Sequence, residues 1–217
     1  MSELQTIIVF QFMKIQSRNG ISFRIQNFLM KKIAIFASGS GSNAERITSY
    51  FADSQHVSID LFLSNNPNAG VIERGRRLGI PTVLFDKKIF SQTNKIVDLL
   101  QNQQIDFVIL AGFLWLIPEN LIKAFPNKII NIHPALLPKF GGKGMWGHAV
   151  HEAVVANGET ESGITIHFVN ERYDEGKVIF QAKCEVLPSD SPDDVAHKVQ
   201  LLEHKYFPEV IEKLFAK

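Results

Sequence analysis

The chain has 217 residues, 45% of them hydrophobic, enough to fill a substantial core in one generous α/β domain. Its 23 Lys plus Arg stand against 22 Asp plus Glu, a net charge of +1, so it carries no large electrostatic footprint for nucleic acid or an anionic membrane, and small-molecule partners are expected. Cys184 is the only cysteine, which excludes an internal disulfide framework and a Cys-rich zinc site and fits a reducing cytoplasm.

Met1 to Leu29 mixes apolar runs such as Ile7-Ile8-Val9-Phe10 with polar ones. It lacks the long apolar region and small-residue cleavage site of a signal peptide, and it is too broken to span a bilayer. Lys14, Arg18 and Arg24 outnumber Glu3, as in a mitochondrial presequence, but no helical face is sustained. A poorly ordered extension is expected over residues 1–29, with a single domain over 30–217.

Ile33 to Ala37 reads as a buried parallel strand that stops at Ser38-Gly39-Ser40-Gly41-Ser42-Asn43, and a helix is predicted from about Asn43 to Phe51. Strand, glycine-rich turn and helix N-terminus together make an anion site, because free N–H groups and the positive end of the helix dipole point at the turn. The turn lacks the third glycine of the dinucleotide fingerprint and the lysine of a P-loop, so a monophosphate is the expected ligand; the alternative is a tight turn that binds nothing.

The alternation continues with a strand at Val57 to Ser64, a helix from Ala69 to Leu78 closed by Gly79, and a short strand at Thr82 to Phe85. A helix from Ser91 to Asn102 and the very apolar strand Asp106 to Ala111 follow. Such βαβ punctuation with short connections predicts a mostly parallel, doubly wound sheet with helices on both faces. Gly112 then breaks the strand, and Pro118 starts another helix. The residues between them, Phe113-Leu114-Trp115-Leu116-Ile117, are either core packing under a loop or the wall of a pocket for a flat aromatic ligand.

Lys128-Ile129-Ile130 leads into Asn131-Ile132-His133-Pro134-Ala135-Leu136-Leu137-Pro138. Strand alternation puts Asn131 and His133 on one face of a strand end, where Pro134 must stop the ladder. Two polar side chains thus converge at the carboxyl edge of the sheet, where open α/β folds bind ligands. Phe140-Gly141-Gly142-Lys143-Gly144-Met145-Trp146-Gly147-His148 reads as a mobile loop, a lid or a plain connector, before a helix from about His148 to Asn157. Gly163 to Val169 and Val178 to Cys184 are two strands joined closely enough to pair antiparallel. In their connecting loop, Asp174 either faces the site or shapes the turn. Ser191-Pro192 starts a last helix towards Phe215, in which Gln200, Glu203 and His204 share a face.

Four of these segments, Ser38 to Asn43, Leu110-Ala111-Gly112-Phe113, Asn131 to Pro138 and Asp174-Glu175-Gly176-Lys177-Val178-Ile179, make the chain from about Met30 onward resemble the phosphoribosylglycinamide (GAR) formyltransferases, folate-dependent enzymes of purine synthesis. The resemblance implies a Rossmann-like α/β fold with an antiparallel C-terminal part, and Asn131, His133 and Asp174 as a catalytic trio. It further implies that Gly41, Ser42, Asn43, Asn131, Pro134, Gln200 and Glu203 bind GAR. Leu114, Trp115, Leu116, Ile117, Asn170, Glu171, Arg172, Tyr173 and Asp174 would line the pocket for 10-formyltetrahydrofolate, the co-substrate. Trp115 stands where relatives often carry arginine, and Ala135 where serine is common.

The implied chemistry needs no metal, because the formyl carbon is already electrophilic. The GAR amine attacks it, and negative charge develops on the formyl oxygen, where the Asn131 amide and His133 as imidazolium donate. Asp174 is expected to favour the charged imidazole and to hold a water that relays the amine's proton. A formyltetrahydrofolate hydrolase and a non-catalytic phosphate-sensing or nucleotide-sensing α/β module are the alternatives. The implied protein is cytoplasmic, a monomer or homodimer, without nucleic-acid or membrane partners.

Overall fold

A computed structural model describes residues 30–215; the extension expected over residues 1–29 lies outside them. Seven strands form one sheet: β1 (Lys31–Phe36), β2 (Val57–Ser64), β3 (Thr82–Leu84), β4 (Phe107–Leu110), β5 (Ile129–His133), β6 (Glu161–Phe168) and β7 (Val178–Glu185), in the order β3-β2-β1-β4-β5-β6-β7. The first five run parallel, and β6 and β7 are antiparallel to their neighbours. The fold is Rossmann-like, with the antiparallel part at the C-terminal side, as expected.

Among the described residues, the helices are α1 (Ser42–Tyr50), α2 (Gly70–Leu78), α3 (Lys87–Gln92), α4 (Lys95–Asn102), α5 (Glu119–Ala124), α6 (His148–Ala156) and α7 (Pro192–Phe215). Alternation along β1 feeds two cores. Ile33, Ile35 and Ala37 face α1 and α7, where Ile47, Val195, Val199, Phe207 and Ile211 complete one cluster. Ala34 and Phe36 face the opposite layer with Phe90, Ile96, Leu100 and Leu121. Both faces of β1 are therefore apolar, which is why the strand reads as a continuous hydrophobic run.

The single helix expected from Ser91 to Asn102 is two helices. The Asp86 carboxylate accepts from Ile89 N–H at 2.7 Å and starts α3 early. Thr93 Oγ1 donates to the Ile89 carbonyl at 2.7 Å and accepts from Lys95 N–H at 3.2 Å, so one hydroxyl closes α3 and opens α4. At α7 the expected N-cap is present: Asp194 N–H donates to Ser191 Oγ at 3.2 Å, and Ser191 N–H donates back to Asp194 Oδ2 at 2.8 Å. Pro118 is the residue before α5 rather than its first residue.

Phe36 is fully buried, with Phe113 at 5.3 Å and Phe85 at 5.9 Å between ring centroids. Phe36→Ala should cost about 3–5 kcal/mol, read as a lower midpoint in equilibrium denaturant unfolding. A loss below about 1 kcal/mol would contradict this packing.

Candidate active site

The carboxyl ends of β1, β4 and β5 open into one cavity of about 710 Å³, within the range of small-molecule sites. Its wall includes the Gly39–Asn43 turn, Gly112 to Leu114, Asn131 to Pro134, the Gly142–Gly147 loop, Tyr173 and Asp174, and Gln200 and Glu203 on α7.

At one end lies the turn before α1. Gly41 sits at φ 78, and a Cβ there would approach Val71 Cβ to 2.7 Å, so both backbone conformation and space require glycine. No side chain caps the first turn of α1, which leaves its N–H groups directed at the cavity end. Asn43 Nδ2 donates to Glu203 Oε2 at 2.9 Å across 160 residues of sequence. Burial pushes the Glu203 carboxyl up to about 7, against the Asn43 amide that pulls it down. Gln200 and Glu203, on a face that a helix usually gives to solvent, here line the cavity, while His204 beside them does not.

At the other end stand Asn131, His133 and Asp174. Asn131 Nδ2 is 3.0 Å from His167 Nε2 and 3.5 Å from Asp174 Oδ1. His167 Nδ1–H donates to the Phe168 carbonyl at 2.9 Å. His133 Nε2–H donates to the Phe140 carbonyl at 2.7 Å, and its Nδ1 lies 3.5 Å from Asp174 Oδ2. Asp174 Oδ2 also accepts from Gly142 N–H at 2.9 Å, which pins the glycine loop to the site.

Asp174 adopts φ 56, a left-handed conformation that Asp tolerates better than most residues. Two residues on, a Cβ at Gly176 would lie 1.6 Å from the Phe168 carbonyl oxygen, so the loop can fold against β6 only with glycine. The Asp-x-Gly spacing thereby has a steric cause.

Burial pushes the Asp174 carboxyl up, but His167, His133 and the Gly142 N–H together outweigh it and hold the group below the usual carboxylate range. For His133 the balance is reversed. Burial lowers its pKa more than Asp174 and the Phe140 carbonyl raise it. The upward shift expected from Asp174 is thus outweighed by burial in the ligand-free site, where the net shift of His133 is downward.

Of the residues assigned to the folate pocket, Leu114, Tyr173 and Asp174 line the cavity. Ile117 is 4% exposed and belongs to the core, while Trp115 packs on Phe90 at 5.8 Å with Lys87 Nζ 4.7 Å above its ring. Leu116, Glu171 and Arg172 are exposed outside the cavity wall, and Asn170 Oδ1 accepts from Arg172 N–H as a turn former. The sequence reading missed His167 and His151. His167 was legible in principle, because antiparallel pairing of β6 on β5 sets it opposite Asn131. His151 lines the cavity from α6; burial, then His148 and His133, hold its pKa down.

Residues 31–211 match the family model described as formyl transferase. The chain is 44% identical over 187 residues to a chloroplastic phosphoribosylglycinamide formyltransferase of Arabidopsis thaliana, covering 83% of this chain and 64% of that protein. It is 36% identical over 190 residues to the phosphoribosylglycinamide formyltransferase of Bacillus subtilis, covering 85% of this chain and 95% of the relative. The chain thus spans less than two thirds of the plant protein's length and nearly all of the bacterial one's. A crystal structure of phosphoribosylglycinamide formyltransferase from Bacillus halodurans superposes with a TM-score of 0.78 at 35% identity, over 86% of this chain and 96% of that one. With its sheet, its cavity and a family match over most of its length, the chain belongs to the formyl transferase family.

Proposed function

We propose that this chain transfers the formyl group of 10-formyltetrahydrofolate to the amine of 5′-phosphoribosylglycinamide, giving formyl-GAR and tetrahydrofolate in de novo purine (IMP) synthesis. One observation carries the reading: a single cavity is lined both by an uncapped helix N-terminus and by a partly buried Asn–His–Asp constellation. Similarity to proteins named phosphoribosylglycinamide formyltransferase supports it. The phosphate of GAR sits on the N–H groups around Gly41, Ser42 and Asn43. Glu203, Gln200 and Pro134 take the rest of GAR, while Leu114 and Tyr173 hold the folate. The co-substrates are the partners of the reading, and the single cysteine fits a cytoplasmic location.

In the reaction, the neutral amine nitrogen bonds to the formyl carbon, and the carbonyl electron pair moves to the formyl oxygen. The tetrahedral intermediate collapses by breaking the bond from that carbon to folate N10. The proton lost by the amine ends on N10, relayed by a water that Asp174 holds. Asn131 Nδ2–H and His133 Nε2–H donate to the oxygen when its charge forms, so their contribution is largest at the transition state. His133 Nε2–H rests on the Phe140 carbonyl in the ligand-free site and turns to the oxygen in the reaction.

A spectrophotometric assay with 10-formyl-dideazafolate, with and without GAR, tests the function. GAR-dependent release of deformylated folate is the expected result. Release without GAR would make the protein a hydrolase, and GAR binding with no release would make it a sensing module. His133→Ala and Asp174→Asn should each lower kcat by about 100- to 1000-fold or more, with little change in GAR binding. Near-normal turnover in both would sink the mechanism.

Glu203 also makes stability depend on pH. Its folded pKa of about 7 lies above the unfolded 4.5, so the stabilisation is fully present below pH 4.5 and is lost as pH rises through 7. The ligand-free protein should show a falling thermal midpoint between pH 5 and pH 8, roughly, corresponding to at most about 3 kcal/mol, and Glu203→Gln should flatten that slope. Equal slopes in the two proteins would show that Glu203 titrates near its ordinary value.

A further inference from the structure

Ser38 lies two residues past the end of β1, just before the Gly39–Asn43 turn, and every polar group it carries is engaged. Its N–H donates to the Gly112 carbonyl at 2.9 Å, and its carbonyl accepts from Asn66 Nδ2 at 3.1 Å. The hydroxyl donates to Asn65 Oδ1 at 2.7 Å and accepts from Leu114 N–H at 3.1 Å. The residue is 6% exposed and does not itself line the cavity.

These bonds join three strand exits. The segment after β4 contributes Gly112 and Leu114, both of which are cavity wall. Asn65 and Asn66 follow the end of β2, where the chain has an amide pair that the catalytic reading leaves unused. A hydroxyl offers one donor and two acceptor sites, so a single small side chain can satisfy a backbone N–H on one side while an amide orients it from the other. Alanine would leave Leu114 N–H and Asn65 Oδ1 without this partner.

On the reading of the site given above, the two segments that Ser38 fastens hold different substrates. The turn from Gly39 to Asn43 takes the GAR phosphate, and the wall at Leu114 takes the folate. Transfer needs the amine nitrogen about 3–3.5 Å from the formyl carbon, and a misplacement of about 1 Å can cost on the order of a hundredfold in rate. We propose that Ser38, oriented by Asn65, is a positioning residue that sets the spacing between the phosphate loop and the donor wall and so aligns the two substrates. It acts through Leu114 and the loop, and touches neither substrate.

The test compares wild type, Ser38→Ala, Asn65→Ala and the double variant. Steady-state rates are measured at saturating concentrations of both substrates, and calorimetry gives the affinity for GAR alone and for a non-reactive dideazafolate alone. Each single variant should lose about 10- to 100-fold in kcat while both binary affinities stay within about threefold of wild type. The double variant should be no slower than the slower single one, because both changes cut the same link. Unchanged kcat in both single variants overturns the proposal. So does a loss of GAR affinity in step with kcat, which is the mark of plain structural support, or a double variant whose losses multiply. Should Ser38→Ala fail to fold, Asn65→Ala decides by the same criteria of rate and affinity. Absence of GAR-dependent transfer by the wild type overturns the two-substrate reading itself, and the alignment role with it.

Discussion

The active-site geometry depends on β5 pairing differently on its two sides. Against β4 it is parallel, so its end arrives at the same carboxyl edge as β1 and β4. Against β6 it is antiparallel, so His167 comes back opposite Asn131 and Thr165 opposite His133. The antiparallel β6 ends beside the start of β5, with Phe168 opposite Ile130, and the β6–β7 loop folds back from there to bring Asp174 to Asn131 and His133. One hairpin thereby gathers two histidines, an amide and a carboxylate that are scattered over about forty residues. Thr165 serves the backbone of this junction: its hydroxyl donates to the Ala135 carbonyl at 2.7 Å and accepts from Leu137 N–H at 3.0 Å. The chain that leaves His133 is therefore held against β6.

Similar carboxyl groups behave differently at the two ends of the cavity because their neighbours differ. Asp174 meets a backbone N–H and two imidazoles, and stays charged despite burial. Glu203 meets one amide, and burial prevails. A charged group near the proposed chemistry and a group titrating near neutrality at the proposed GAR end follow from that difference alone. For His133 the same competition runs downward, because burial lowers its pKa more than Asp174 and the Phe140 carbonyl raise it.

The cavity wall at Leu114 stands on an aromatic core. Phe36, Phe85, Phe90 and Phe113 pack beneath the segment after β4, and Trp115 turns inward to join them at 6.1 Å from Phe85. That inward turn leaves Leu114 and Leu116 as the exposed apolar side chains of the segment, each 39% exposed. The wall's shape is thus set by what the second core accepts, and the hydrogen bonds of Ser38 tie this segment to Asn65 and to the chain that enters the Gly39–Asn43 turn.

Much of this was legible from local pattern. The apolar runs, the turn residues after each strand and the Ser191 cap identified most elements, because burial on both faces and capping chemistry act over a few residues. Asn131 and His133 shared a face by strand alternation alone. What local pattern could not decide was competition between distant groups. The break at Thr93 turned on one hydroxyl serving two helices. The inward turn of Trp115 and the burial of Ile117 depended on a core assembled from separate elements. The charge state of His133 was a balance between burial and Asp174, and the raised Glu203 arose from α7 lying against the turn before α1. Residue types and short spacings encode which groups can do chemistry; desolvation and contact across the sheet, which exist only once the chain is folded, decide which of them meet and which of them carry charge.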